Sequence, residues 1–230
     1  MADEAPTFRL FVASFTDFLV VAIHTILYER GIYPQTSFLS ARRYNFAVRQ
    51  SRHPKVCEWI NDAVASVESE LLKGTVDRIA VVIYSKQNKP LERFMFEVSR
   101  FPTVPTSDLD VPLESADVEG TSPSVLPLVD LEEQMRATMS RLSNCSASLD
   151  VLPKGCTFTI AVELKGEDDA PLTHPQPWIP VQGSDESLGE VNGKRTLPLR
   201  AVRAGEMAFE TWVEELSEKA AQDSNTSSLP

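Results

Sequence analysis

Histidine and cysteine are the side chains that most often carry catalysis or bind metals, and this sequence has three of each. The histidines have no partner at the spacing of a metal-binding pair, although spacing alone leaves open a triad of distant residues. His24 lies in an apolar run and is interpreted as a core histidine, whereas His53 precedes Pro54 and should start a helix. The cysteines are far apart, which indicates neither a disulfide framework nor a zinc site and favours a reducing compartment.

Two further patterns could carry chemistry, and neither fits its motif. The stretch from Gly189 to Arg195 resembles a phosphate-binding loop, but only three residues separate its glycines and Arg195 stands where Ser or Thr should bind magnesium. The acidic pairs read best as solvated surface; they are Glu132-Glu133, Asp168-Asp169 and Glu214-Glu215. The sequence therefore predicts a protein without metal or cofactor that is not an enzyme.

The tryptophans are more informative, because aromatic side chains dominate binding surfaces. Trp178 lies between Pro177 and Pro180 in a loop-like region, where it would either pin a flap or stack on a partner's proline. Trp59 adjoins the apolar stripe of a predicted helix, so from the residues alone we expect it in the core. Trp212 lies among glutamates and is a candidate interface residue.

The elements that must position these residues follow from apolar periodicity. A helix over Phe8–Arg30 is apolar on nearly all sides, which predicts a central position in the domain. A second helix starts at Pro54 and stops at Gly74, and a third runs from Leu128 with apolar residues every three or four positions. Residues 35–50 show no clear pattern beyond a small basic cluster.

The strand signals follow the helices in the chain. Arg78–Tyr84 and Leu91–Val98 predict a hairpin, and Cys156–Leu164 alternates strictly between apolar and polar residues. Met207–Leu216 fits either a strand or a helix face. Helices and antiparallel strands segregate along the chain, which predicts an α+β fold rather than an alternating α/β fold.

Composition excludes several classes of protein. The 230 residues carry a net charge of −11, which disfavours high-affinity binding to nucleic acid. The uncharged part of the first apolar run, Phe18 to Tyr28, is too short to cross a bilayer, and the acidic start does not fit a signal peptide. Residues 101–127 hold five prolines, five acidic residues and no Lys or Arg, so they predict a solvated insertion without structure. Residues 217–230 predict a flexible tail.

An ordered set of motifs then resembles the HORMA-domain family, in particular its members that serve as the non-catalytic accessory subunit of DNA polymerase zeta (mitotic-arrest-deficient-like proteins). The resemblance covers about residues 8–216, with departures at 101–127 and 165–175. The motifs are the run from Phe18 to Tyr28, Tyr33-Pro34, Arg43-Tyr44-Asn45, His53-Pro54, Val81-Val82-Ile83, Glu92 to Glu97, Gly155 to Thr159, Pro177-Trp178-Ile179, Leu197-Pro198-Leu199 and Trp212 to Glu215.

The resemblance implies a three-helix core on an antiparallel sheet, with a mobile C-terminal seat belt over residues 165–216. The belt would close over an extended partner peptide that pairs with a sheet edge. It also implies that Met207–Leu216 is a strand. In this family the peptide contains proline and comes from the polymerase zeta catalytic subunit. Trp59 and Trp178 match the positions that grip its prolines and Tyr33 is a third, which reverses the core interpretation of Trp59. We expect Trp178→Ala to abolish capture of such a peptide.

The resemblance implies two further contacts. A surface on the belt would bind the C-terminal domain of the Y-family deoxycytidyl transferase that scaffolds translesion synthesis; the matching positions are Thr196, Arg200, Glu210 and Trp212. Thr196 and Glu210 differ from the apolar and amide residues expected there. Arg136 matches a residue of HORMA–HORMA dimerisation, and a solvated arginine is the alternative. The expected protein is thus an adaptor in DNA-damage tolerance, located in the nucleus and also in the cytoplasm. The alternative is a spindle-checkpoint protein that binds other peptides.

Overall fold

A computed structural model describes residues 7–113, 128–166, 193–204 and 207–216. Helix α1 (Phe8–Glu29) begins at Thr7, whose hydroxyl accepts a hydrogen bond from the backbone N–H of Leu10 at 3.2 Å. Thirteen of its residues are buried, on several faces, as its uniform apolarity predicted. By length and composition alone α1 could cross a membrane, but 67% of its most apolar window is buried inside the fold. It is the central helix of the domain.

Helix α2 (Pro54–Lys73) and helix α3 (Leu128–Asn144) both pack against α1. The predicted bounds of α2 are confirmed: Pro54 occupies its first turn and Gly74 ends it with a left-handed φ of 76°. Helix α3 is shorter than its apolar spacing suggested, because a 3-10 turn over Cys145–Ser148 replaces its last turn.

Five antiparallel strands form the main sheet, in the spatial order β5-β3-β4-β7-β6. The prediction of an α+β fold with an antiparallel sheet is therefore confirmed. The hairpin predicted from the central Val- and Ile-rich run is also confirmed, and so is the alternating strand that starts beside Gly155. The strands are β3 (Val76–Tyr84), β4 (Pro90–Glu97), β5 (Thr157–Leu164), β6 (Gly193–Ala204) and β7 (Met207–Leu216).

The ambiguous last segment is strand β7, as the family resemblance implied. Phe209 lies in the core, with its ring 5.2 Å from that of Phe15 and 5.7 Å from that of Phe18. The C-terminal hairpin β6–β7 therefore completes the same hydrophobic core as α1.

The patternless segment 35–50 forms a second, two-stranded sheet of β1 (Phe38–Arg43) and β2 (Phe46–Ser51). The sequence analysis missed this hairpin. Its two-residue turn places Tyr44 and Asn45 at φ of 51° and 52°, and such turns are normally marked by Asn-Gly or Asp-Gly. Because Tyr44 occupies the first position of the turn, the sequence lacks the dipeptide that would predict a hairpin here.

The insertion is structured in its described part, residues 101–113, which corrects the expectation of a wholly solvated segment. Phe101 and Leu109 are buried, and the Phe101 ring lies edge-on to Phe15 at 5.2 Å. The Arg9 N–H donates to the Leu109 carbonyl at 3.1 Å, and Thr7 forms a β-bridge with Pro112. The first part of the insertion thus packs on the start of α1. Residues 114–127 lie outside the described part.

Candidate functional site

Three aromatic side chains from three separate elements meet at one end of strand β5. The ring of Phe158, on β5, lies 5.0 Å from Trp59 of α2 and 6.5 Å from Tyr33, which follows α1. Both pairs are edge-to-face, with interplanar angles of 82° and 87°, the arrangement that aromatic quadrupoles favour. We call Tyr33, Trp59 and Phe158 the aromatic cluster.

The aromatic cluster is an open surface rather than part of the core. Trp59 is 43% exposed, so its interpretation as an ordinary core residue is wrong. The reason is helical phase: Ile60, Val64, Val67 and Leu71 form the buried stripe of α2, and Trp59 lies beside that stripe. Tyr33 is half-buried, and desolvation raises the pKa of its hydroxyl. These rings are therefore available to a partner.

Phe158 was not identified as a site residue from the sequence. The alternation of the predicted strand places Phe158 on its apolar face, which by itself predicts an ordinary core residue. What distinguishes it is that β5 lies at the edge of the sheet and, among the described strands, pairs only with β3. The other side of β5 can therefore accept an extended chain by backbone pairing. Only the topology reveals this.

The start of α2, which carries Trp59, is fixed by a chain of hydrogen bonds. The Cys57 thiol donates to the Ser51 carbonyl at 3.2 Å, and the Ser51 N–H donates to Nδ1 of His24 at 3.4 Å. His24 is buried in α1, as predicted, and burial lowers its pKa to about 4. A neutral imidazole is what this acceptor role requires. His53 precedes the helix, as predicted, but its side chain makes no capping hydrogen bond.

The four residues assigned to the scaffold contact come together on the β6–β7 hairpin. Thr196, Arg200, Glu210 and Trp212 all line a hollow of about 380 Å³. Pro198 pairs with Trp212 across the ladder and Ala201 pairs with Glu210. The indole packs against the small apolar group Ala80, Val82 and Met95 on the face of the sheet. This placement agrees with the grouping that the resemblance implied, and it leaves the role itself a prediction.

Three of these side chains, those of Arg200, Glu210 and Trp212, also have an internal partner. The Arg200 guanidinium donates to Oε1 of Gln134 on α3 at 2.6 Å, and the Trp212 indole N–H donates to Oε1 of Glu214 at 2.8 Å. Glu210 lies 3.5 Å from the guanidinium of Arg100. These bonds hold the hollow in shape without a partner.

The other two predicted site residues have different outcomes. Arg136 is exposed on α3 and pairs with Glu133 one turn away, which lowers the pKa of that carboxyl. This geometry suits both a dimer contact and a solvated arginine, so its role stays a prediction. Trp178, like most of the segment between β5 and β6, lies outside the described residues.

Within the described residues we find neither a metal-binding group nor an activated buried thiol. These residues contain no group of three His, Cys, Asp or Glu side chains that could hold a metal ion. Burial raises the pKa of the Cys145 thiol to about 11, which keeps it protonated and unreactive. The surfaces described above can recognise a partner through stacking, backbone pairing and ion pairs.

Comparison with known proteins decides the family. The family model for the HORMA domain matches residues 12–203. The chain belongs to the HORMA-domain family. It is 35% identical, over 87% of its length and 90% of the relative's, to the DNA polymerase zeta processivity subunit of Schizosaccharomyces pombe. It is 32% identical, over 89% of its length and 90% of the relative's, to the human mitotic spindle assembly checkpoint protein MAD2B. This HORMA protein is accordingly a non-catalytic adaptor of the type that these relatives represent.

Solved structures confirm the fold. A chain of the mitotic checkpoint complex superposes with a TM-score of 0.67 at 19% identity, covering 89% of this chain and 98% of that one. HTP-1 of C. elegans bound to the HIM-3 closure motif gives a TM-score of 0.61 at 13% identity, with 94% of each chain covered. At these identities the likeness establishes the HORMA architecture alone.

Proposed function

We propose that this protein traps a proline-containing peptide of the polymerase zeta catalytic subunit and bridges it to the translesion deoxycytidyl transferase scaffold. It would act in DNA-damage tolerance, in the nucleus and also in the cytoplasm. The observation that carries the proposal is the aromatic cluster beside the edge of β5 that no other described strand occupies. That edge offers backbone hydrogen bonds and the rings offer side-chain specificity.

Proline suits such a site for a physical reason. Its ring is compact and apolar and packs on an indole or phenol, and its fixed φ lowers the entropy lost when the peptide becomes ordered. Because proline lacks an N–H, it fits at positions of an added strand that point away from β5. A peptide with prolines on its cluster-facing side would thus combine ring contacts with backbone pairing.

The positions of β5 and β6 support a belt. These strands are consecutive in the chain, yet they lie at opposite edges of the sheet. The proposed seat belt therefore starts at the edge that would receive the peptide and ends in the hairpin at the far edge. Closing a covalent strap over a bound strand slows dissociation, because the peptide leaves only when the strap opens.

The bridging role needs two surfaces that can be occupied together. The aromatic cluster lies beside β5, whereas the hollow around Trp212 lies on β6 and β7, with β3 and β4 between them. A peptide at the first surface would leave the second accessible to the C-terminal domain of the Y-family enzyme. Arg136 on α3 supplies the proposed contact for a HORMA–HORMA dimer.

The proposal is tested by a pair of matched tryptophan substitutions, one on each surface. Trp59→Ala should weaken binding of the catalytic-subunit peptide at least tenfold and leave binding of the scaffold's C-terminal domain unchanged. Trp212→Ala should do the reverse. Both affinities are measured by calorimetry on the full chain, with circular dichroism to confirm folding. If Trp59→Ala and wild type bind the peptide equally, peptide capture at this site is wrong.

A second candidate function is that of a spindle-checkpoint protein that captures peptides of cell-cycle regulators. It is favoured by the vertebrate relatives, whose names assign them to the mitotic spindle assembly checkpoint. A competition assay with both peptide classes on one sample separates the two functions. Preference for the cell-cycle peptide would replace the polymerase assignment and leave the binding site in place.

A further inference from the structure

The longest stretch of the described residues that carries cations and no acidic residue surrounds the β1–β2 hairpin. Residues 31–57 contain no Asp or Glu, in a chain whose net charge is −11. They carry five cations, which are Arg42, Arg43, Arg49, Arg52 and Lys55. The function proposed above uses none of them.

The strand register places two of these arginines on the outward face of the hairpin. Arg42 pairs with Ala47, and Arg49 pairs with Ser40, two positions along the same ladder. Side chains related by this diagonal lie about 7–8 Å apart. Ala47 and Ser40 are exposed and small, and a hollow of about 550 Å³ lies beside Arg42. Arg52 and Lys55 follow, both exposed, where β2 leads into α2.

Several carboxylates lie near the hairpin, and they neutralise only part of it. Asp17 of α1 pairs with Arg43 at 2.7 Å. Glu29 of α1 lies within electrostatic range of Arg49, and Glu132 of α3 within range of Arg43. Within the described ranges neither Arg42 nor Arg52 makes a salt bridge: Arg42 donates to Asn45. Arg49 lies over the Tyr28 ring at 4.7 Å, which holds its guanidinium in place.

We propose that this face, Arg42, Arg49, Arg52 and Lys55, is a low-affinity contact for the phosphate backbone of duplex DNA. We call it the basic face. Three of its four cations are arginines, whose planar fork binds phosphate oxygens bidentately.

The occupant is a phosphate backbone rather than an acidic peptide because the hairpin part of the face, which carries Arg42 and Arg49, lacks exposed side chains that anchor peptides. Between the arginines stand Ser40, Ala47 and the Asn45 turn, with no exposed aromatic or large aliphatic residue. Charges on an edge strand also discourage aggregation, but that role does not account for Arg52 and Lys55, which lie beyond the strands.

The net negative charge makes this contact weak rather than impossible. At about 0.15 M salt the screening length is about 8 Å, so a phosphate at the basic face interacts mainly with the local arginines. Four phosphate contacts give a slope of about −3.6 for log affinity against log salt, which is about a 50-fold gain in affinity from 0.15 M to 0.05 M. The expected binding of the isolated protein is therefore weak at physiological salt and measurable at low salt.

The test is a salt titration of the full chain, without any peptide, against a fluorescent duplex of about 20 base pairs. The double variant Arg42→Ala/Arg52→Ala should flatten the slope by about 1.8, since each lost contact contributes about 0.9. The matched control Arg141→Ala/Arg203→Ala removes two exposed arginines elsewhere and should leave the slope unchanged. Arg42→Lys/Arg52→Lys should also keep the slope, because the charge is retained.

Equal slopes for wild type and the hairpin variant would overturn the contact, and so would equal losses in the hairpin and control variants. A poly-glutamate peptide is titrated in parallel. If the hairpin variant loses binding to this peptide and keeps binding to the duplex, the face recognises an acidic peptide and the DNA assignment is wrong. Trp59→Ala should leave duplex binding intact, which separates this contact from peptide capture.

Discussion

The two edges of the five-stranded sheet carry different kinds of side chain. At the β5 edge the side chains are aromatic and partly exposed, and among the described strands β5 pairs on one side only. Toward the β7–β6 edge, charged groups are buried between strands. Glu92 and Glu215 face each other directly across the β4–β7 ladder, where like charges repel. Arg30 binds Glu92 through two bonds of 2.8 and 2.6 Å.

The prediction that Glu214-Glu215 is solvated surface is wrong, because Glu215 is buried and the Glu214 side chain is only 18% exposed. The buried carboxylate of Glu215 is compensated by two contacts. Its Oε1 accepts the Asp150 N–H at 2.8 Å, and Arg195 lies 3.8 Å from Oε2. Beside it, Glu214 pairs with Arg93 at 2.8 Å. The β5 edge is thus suited to pair with a strand from a partner, whereas at the opposite edge the buried charges bind the chain's own β6–β7 hairpin in place. The β6–β7 hairpin is therefore held by hydrogen bonds and ion pairs, and a substitution of one partner breaks such a contact.

The largest expected effect comes from Glu92→Ala, which leaves the buried Arg30 without its carboxylate. Breaking one partner of a buried pair costs about 3–5 kcal/mol of the free energy of unfolding. Urea denaturation measures it. The control is Asp110→Ala, which breaks the exposed pair with Arg9 and should hardly move the midpoint. Similar losses in both variants would contradict the contrast between buried and exposed pairs.

The next effect is a pH dependence of the free energy of unfolding that arises from His24, which is buried in α1. Its pKa is about 4 in the folded protein and 6.5 when unfolded. The unfolded chain therefore binds the proton more readily, so stability is full above about pH 6.5 and falls as the pH drops toward 4. Between about pH 7.5 and 4.5 this contributes about 2.5 kcal/mol.

The measurement compares wild type with His24→Gln, which cannot titrate at this position. Urea denaturation at both pH values should show the larger loss in wild type. His53→Gln, at an exposed position, should behave as wild type does. If His24→Gln loses as much stability as wild type, His24 is not the titrating group.

A smaller effect is expected when the centre of the aromatic cluster is removed. Phe158→Ala takes away the ring that contacts both Trp59 and Tyr33 and should weaken binding of the proline peptide about tenfold, or about 1.4 kcal/mol. Calorimetry measures this affinity. Thr157→Ala, the exposed neighbour on the same strand, is the matched control and should bind normally. If Phe158→Ala binds the peptide as tightly as wild type does, Phe158 takes no part in peptide recognition.

The smallest effect should be local to the hairpin. Glu215→Gln keeps an acceptor for the Asp150 N–H but loses the charge that strengthens this bond and the pairing with Arg195. This loss outweighs the relief of repulsion from Glu92, so the hairpin should be about 1 kcal/mol less stable. Amide hydrogen exchange of β6 and β7 should accelerate about fivefold, while β3 stays protected. Glu210→Gln, on the same strand and more exposed, should change neither. Equal acceleration in β3 and β7 would mean that the hairpin opens only with the whole fold.

Local pattern predicted much of the molecule. The three-helix core, the β3–β4 hairpin and the buried His24 follow from apolar periodicity and from residues such as Pro54 and Gly74. The β1–β2 hairpin did not, because a tyrosine occupies its turn. The ordered structure of residues 101–113 could not be predicted from local pattern either, because it depends on contacts of Phe101 and Leu109 with α1, which is distant in the chain.

The candidate site divides in the same way. The ordered motifs brought Tyr33, Trp59 and the Trp212 surface to attention, while periodicity alone placed Trp59 in the core. Only the fold shows that Trp59 lies just outside the buried stripe of α2 and that Phe158 joins it. The sequence by itself determined the three helices and strands β3, β4 and β5, and its motifs indicated that the chain binds rather than catalyses. The tertiary structure decided which strand is an edge and which carboxylates are buried, because strand order and burial depend on contacts between residues distant in the chain.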